Sequence, residues 1–255
     1  EAAQALTAYY YDGAYRDRLS IAGNTGVTSF NNSGVDVDFR IQSADNGNMF
    51  FVDGGANHVN IGTASDLGGV LNIANSDNTP QLVLYSDDAD ANSGPELQFW
   101  RNSGSPADAD ALGIMKFLGE NDADELTTYA EILASAVDVS NGTEDAGLYI
   151  QTKVAGTMRE RISMLATETI INNGSRDLDF RVESDGNANM LFVDGGNNKV
   201  GIGTNAPVND FSVQGSSGGL LGLHRTSGTT TGVLGSITVG NTDIDSGMGG
   251  IDFTQ

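Results

Sequence analysis

The stretch Asp38–Thr63, DFRIQSADNGNMFFVDGGANHVNIGT, returns at Asp179–Thr204 as DFRVESDGNANMLFVDGGNNKVGIGT, 141 residues further on, with 17 of 26 positions identical. A gap-free internal repeat of this length is the mark of a modular architecture, in which neighbouring units complete one another's core. Within and beside the repeat the apolar residues alternate. Val35, Val37, Phe39 and Ile41 interleave with Asp36, Asp38, Arg40 and Gln42, and Leu178, Phe180 and Val182 with Asp179, Arg181 and Glu183. A period of two places one set on each side of a strand. Arg40 stands two residues from Asp38, and Arg181 two from both Asp179 and Glu183, so these charges are expected to pair along or across strands. Met49–Val52, then Asp53-Gly54-Gly55-Ala56-Asn57, then Val59 and Ile61 read as strand, glycine turn, strand; Met190–Val193, Asp194–Asn198, Val200 and Ile202 repeat the pattern. Gly62 and Gly203 follow the second strand, where a side chain is expected not to fit.

Working outward, Arg16-Asp17-Arg18-Leu19-Ser20-Ile21 matches Arg159-Glu160-Arg161-Ile162-Ser163-Met164 at an offset of 143. The repeat therefore divides the chain into 1–34, the end of one module; 35–175, a complete module; and 176–255, the start of the next. Neither end falls at a module edge and the first residue is Glu1, as expected of a piece of a longer chain. Asn60 in place of Gly201, and Ala64-Ser65-Asp66 in place of Asn205-Ala206-Pro207, make the first copy the more degenerate one. Further strands are expected at 70–73, 82–85, 96–100, 113–118, 148–152, 211–213, 219–223 and 234–239. Residues 124–139 fit either a helical face or the alternation Ala130, Ile132, Ala134, Ala136; the β-rich surroundings favour a strand. Residues 1–12 fit a short helix or an edge strand.

Composition sets the limits on function. Among 255 residues 38% are hydrophobic and 34 are glycine, a mixture suited to short strands and tight turns. The net charge of −22 disfavours nucleic acid and anionic membrane surfaces. No apolar run approaches the roughly 20 residues that span a bilayer, so membrane insertion is not expected. Cysteine is absent, which removes disulfides, zinc–thiolate sites and thiol catalysis.

Several residues could carry chemistry. Asp87, Asp88, Asp90 and Asn92 concentrate oxygen ligands of the kind calcium takes, as do Asn121, Asp122, Asp124 and Glu125, although no calcium-loop motif is matched. Asp53-Gly54-Gly55 and Asp194-Gly195-Gly196 could hold a cation or a phosphate, but their repetition fits a structural turn better. Trp100 with Arg101, and Tyr9 with Tyr10, Tyr11 and Tyr15, could stack on a sugar; the competing reading is packing at a chain–chain contact or a sheet edge. His58 aligns with Lys199, which marks an exposed polar position, and neither His58 nor His224 forms a recognisable catalytic triad. No enzyme is expected; carboxylate pairs suited to glycan hydrolysis arise by chance in so acidic a chain.

Short strands with one apolar stripe need a partner surface, and stacked repeats of identical chains supply one. The expected fold class is all-β: an elongated modular β-fibre of short antiparallel strands, built as a β-prism or β-solenoid-like shaft or as stacked β-sandwich modules, and intertwined as a homotrimer.

The block MLFVDGGNNKVGIGTNAP at Met190–Pro207 resembles the FVDGG…VGIGT modules of bacteriophage tail fibres, particularly those of marine phages, and is similar to shaft regions that precede self-cleaving intramolecular chaperone domains. Gly94-Pro95-Glu96-Leu97, Arg101-Asn102-Ser103, Ser105-Pro106-Ala107-Asp108 and Thr128-Tyr129-Ala130-Glu131-Ile132 are similar to the same fibres. The resemblance implies a homotrimeric fibre on a virion surface, joined to other fibre or baseplate proteins and serving attachment to a host-surface glycan or protein. A cellular extracellular adhesin or filament subunit is the alternative, and a glycan depolymerase a third reading.

Overall fold

The structure is a computed structural model that describes residues 6–11, 13–21, 27–31 and 34–215. It is all-β: no helix occurs among the described residues, and none of the sheets closes into a barrel. The strands expected at 219–223 and 234–239, and His224, lie outside the described residues. The chain forms two compact units, Glu1–Leu97 and Gln98–Gln255, so the unit boundary does not coincide with the module edges inferred from the repeat.

In the first unit β1 (Leu6–Tyr11), β2 (Tyr15–Ile21) and β3 (Thr28–Phe30) make an antiparallel sheet with β1 at its edge. Of the two readings of residues 1–12, the edge strand is the one observed over Leu6–Tyr11, the described part of that stretch. A four-stranded sheet follows, β4 (Phe39–Ile41), β5 (Phe50–Asp53), β6 (His58–Ile61) and β7 (Leu71–Ile73). Its last pair is parallel, Val59 opposite Leu71 and Ile61 opposite Ile73, where antiparallel strands alone were expected. The strand expected from Val35 is shorter, because its first residues have another partner. Asn31, at φ 56°, donates its side-chain amide to Val35 O at 2.6 Å.

In the second unit β8 (Ala111–Glu120), β9 (Leu126–Asp138), β10 (Asp145–Val154), β11 (Thr157–Met164) and β12 (Thr169–Ile171) form an antiparallel meander. β9 covers the ambiguous 124–139 stretch as a strand. β10 turns into β11 through Ala155 and Gly156, both at positive φ (46° and 79°), the twist that lets a two-residue hairpin match its strands. β13 (Phe180–Val182), β14 (Leu191–Asp194), β15 (Lys199–Ile202) and β16 (Phe211–Val213) repeat the four-stranded sheet, including its parallel last pair.

The repeat extends further in the structure than in the sequence. The β1–β2 register shifts between Ala8 and Tyr9, and the β10–β11 register between Ile150 and Gln151. In both cases one arginine, Arg18 or Arg161, is passed over in the pairing. The bulge thus falls inside the arginine-rich block that the two copies share. Asn172 likewise reproduces Asn31: its φ is 62°, and its amide donates to Arg176 O at 2.7 Å.

Cross-strand register sorts the five-stranded sheet into two unlike faces. One carries Met115 and Phe117 of β8, Ala130, Ile132 and Ala134 of β9, Leu148 and Ile150 of β10, Ile162 and Met164 of β11, and Ile171 of β12, with charged residues only toward its margins, Arg159 opposite Thr152 and Glu120 opposite Leu126. The other carries Lys116 opposite Glu131, with Gln151 beside them and Glu160 beyond. In β1–β3 the same apolar positions recur as Leu6 opposite Ile21, and Ala8 opposite Leu19 opposite Phe30.

Little of this apolar surface is covered. Among the described residues only Phe51 and Phe192, equivalent residues of β5 and β14, are buried hydrophobic side chains, at 7% and 8% exposure. Between β7 and β8 the backbone joins no sheet. Leu82–Tyr85 and Glu96–Trp100, expected as strands, are unpaired, and the side chains of residues 75–102 are exposed. Their β-branched, aromatic and apolar residues supply strand character, but strand pairing needs a second backbone within about 5 Å.

Candidate functional site

Each Asp-Gly-Gly turn is built by its own carboxylate and by the segment before β4 or β13. Asp53 Oδ1 accepts the amides of Gly55 (3.0 Å) and Ala56 (2.7 Å), which folds Gly54–Asn57 into a tight loop with Asn57 at φ 60°. Asp38 Oδ1 then accepts Gly54 N–H at 3.1 Å. Both glycines are required by close approach. A Cβ on Gly54 would stand 2.6 Å from Val37 O, and one on Gly55 2.7 Å from Asp36 Oδ1. The second copy repeats this: Gly195 N–H donates to Asp179 Oδ1 at 3.0 Å, and Asn197 N–H to Asp194 Oδ1 at 2.7 Å.

This packing gathers Asp36, Asp38 and Asp53, with one carboxylate oxygen of each within 4.8 Å of the others, the one such acidic group among the described residues. Three convergent carboxylates can coordinate a divalent cation; the amides of Gly54, Gly55 and Ala56 also offset their charge. Asp36 and Asp38 do not belong to a run of neighbouring acids with Asp53 and reach it only through the β4–β5 pairing, so no local run in the sequence reveals the group. The available signal was that Asp177, Asp179 and Asp194 occupy the equivalent positions. In the second copy Asp194 holds its carboxyl below the usual carboxylate range. The side-chain amide of Asn197 contributes most, followed by the Asn197 backbone N–H, with smaller help from Gly196 N–H and Lys199.

The residues proposed from sequence are distributed as follows. Asp87, Asp88, Asp90 and Asn92 are exposed and hydrogen-bond locally, Asp88 Oδ1 accepting from Asp90 N–H (3.3 Å) and Asp90 Oδ1 from Asn92 N–H (2.8 Å); their carboxylates do not form a convergent group. Trp100 is 84% exposed, while Arg101 is committed elsewhere, to Asp110 at 2.9 Å and to Ala111 O at 2.9 Å. Tyr9 and Tyr11 are brought against Tyr15, with ring centroids 5.9 and 5.1 Å apart, and all three rings are largely exposed. Tyr10 lies on the same strand, β1. His58 is half-buried rather than exposed, with Nδ1 3.1 Å from Asp66 Oδ1. Of the expected ion pairs, Arg181 meets Glu183 at 2.5 Å. Asp38 and Asp179 serve the glycine turns, and Arg40 reaches Asn48 at 3.5 Å.

The two copies differ at one buried place. Asn60 on β6 is 1% exposed and Asn72 on β7 5%. Asn72 Nδ2 donates to Asn60 Oδ1 at 2.7 Å and to Gly69 O at 2.9 Å, while Gly69 N–H donates back to Asn72 Oδ1 at 3.1 Å. The second copy has Gly201 and Ser212 there, and Ser212 Oγ accepts Asn209 N–H at 3.1 Å. Thr204, buried at 8% exposure, occupies the space above Gly201. The first copy is therefore a compensated variant rather than a decayed one.

Comparison with protein-family models gives no match to this chain, and no curated protein matches it.

Proposed function

We propose that this chain is a structural and adhesive subunit of a virion fibre, a phage tail or head fibre, assembled as a homotrimer and supporting attachment to a host-surface glycan or protein. One observation carries the reading. A 255-residue chain whose described part buries only two hydrophobic side chains leaves its strand-patterned apolar residues for other chains to cover. A folded domain of this length ordinarily removes about 70–75% of its unfolded chain's surface from water. The resemblance of Met190–Pro207 to tail-fibre modules supplies the virion context, and the exposed aromatic groups at Trp100 and at Tyr9, Tyr11 and Tyr15 supply surfaces on which a sugar could stack.

The native mass, measured by analytical ultracentrifugation with and without a calcium chelator, tests the assembly. A particle near three times 26.5 kDa supports the fibre reading, and dissociation on chelation adds a structural cation to it. A compact particle of one chain overturns it.

A further inference from the structure

We propose that the apolar face of the five-stranded sheet, centred on Ile150 of β10, is the interface at which copies of this chain meet, apolar face against apolar face; this deepens the homotrimer reading and rests on it. The face is exposed where a core would be closed. Met115, Phe117, Leu148, Met164 and Ile171 all keep a third or more of their surface in solvent. Phe99 covers only one corner, above Gly113, and leaves an apolar groove of about 310 Å³ that runs past Met115 and Ile132 to Leu148.

Three arguments identify the occupant as a second copy. The first is charge. Chains of net charge −22 repel, and the centre of this face, from Met115 through Ile132 and Ile150 to Ile162, carries no ionisable group, whereas the centre of the reverse face carries Lys116, Glu131 and Glu160. The second is area. The exposed parts of these five side chains amount to roughly 400 Å² of apolar surface, half of the about 800 Å² that one partner brings to an interface of standard size, the rest of which is ordinarily a polar rim. The third is periodicity. The same face recurs in β1–β3, with Leu19, Ile21 and Phe30 standing where Ile162, Met164 and Ile171 stand in the larger sheet. A partner that meets it each time must carry the same repeat, and a second copy of this chain does.

Because the chain has no cysteine, single thiols report on each face without background. Ile150→Cys places one at the centre of the apolar face and Glu131→Cys one on the reverse; both are small changes that preserve the strand. In the native full-length particle, Ile150→Cys is expected to be shielded from maleimide and to form inter-chain disulfides on mild oxidation in more than half of the chains. Glu131→Cys is expected to label at least tenfold faster and to remain uncross-linked. A multi-chain particle in which Ile150→Cys labels as fast as Glu131→Cys, or in which only Glu131→Cys cross-links, overturns this interface and leaves the fibre reading standing. A single-chain particle overturns both.

Discussion

Asn72 donates its side-chain amide to Asn60 Oδ1 at 2.7 Å across the parallel pair β6–β7, and the equivalent residues of the second copy, Gly201 and Ser212, leave that space to Thr204. The pair and its replacement are alternative solutions of one packing problem. Exchanging only one member should therefore fail in both directions. Asn60→Gly should lower stability by about 1–3 kcal/mol, because a buried amide loses its acceptor. Gly201→Asn should cost about 1–3 kcal/mol by overpacking, since a Cβ there collides with Thr204 O. Denaturant unfolding of the full chain measures both. Two neutral results would mean that the site is loosely packed.

Gly203 holds φ 78°, and a Cβ on it would fall inside contact distance of Gln214 O. Gln214 N–H in turn donates to Ile202 O at 2.8 Å, so the neighbouring backbone is fixed. Gly203→Ala should cost about 2–4 kcal/mol through strain and overlap together. Gly186→Ala, where the added carbon meets open space, should be nearly silent in the same thermal melts.

Asp38 separates a hydrogen-bonding role from a charge role. Asp38→Asn keeps an oxygen for Gly54 N–H and relieves repulsion from Asp36 and Asp53, so its stability should match the parent's within about 0.5 kcal/mol. Asp38→Ala should lose about 0.5–1.5 kcal/mol. If Asp38→Asn instead loses stability that calcium had conferred on the parent, the three carboxylates hold a cation.

Asp194 titrates below its ordinary value of 3.8 because Asn197 donates to its charged form. A carboxylate depressed in the folded state adds stability that is fully present above the unfolded pKa and is lost as pH falls through the folded one. Asn197→Ala should move the Asp194 carboxyl resonance midpoint upward in an NMR titration and narrow that window. An unchanged midpoint would assign the depression to other donors.

How far the sequence was legible depended on whether the partner lay nearby. The turns at Asp53 and Asp194 and the strands on either side could be read because β5 and β6, or β14 and β15, are hairpin neighbours. Even the ambiguous 124–139 resolved as β9 once its flanking strands were considered. Leu82–Tyr85 and Glu96–Trp100 do not pair because apolar and aromatic residues report strand propensity, not whether a second backbone is present to pair with. The parallel β6–β7 pair was missed for a related reason: it depends on Gly62 bringing the chain back on itself, at φ 82°. At the candidate site the glycines were visible and the carboxylates facing them were not, since Asp36 and Asp53 lie 17 positions apart and only pairing unites them.

Every sheet among the described residues is assembled from strands in strict chain order, with no later strand inserted between earlier ones. Contacts of this kind are local, and low contact order favours rapid formation. Each hairpin can close as soon as its second strand leaves the ribosome, without waiting for distant sequence. The same property frees the gene. A module can be duplicated or removed by recombination at its edges without rethreading any strand, so the length of such a chain is open to change while the fold of each module is not.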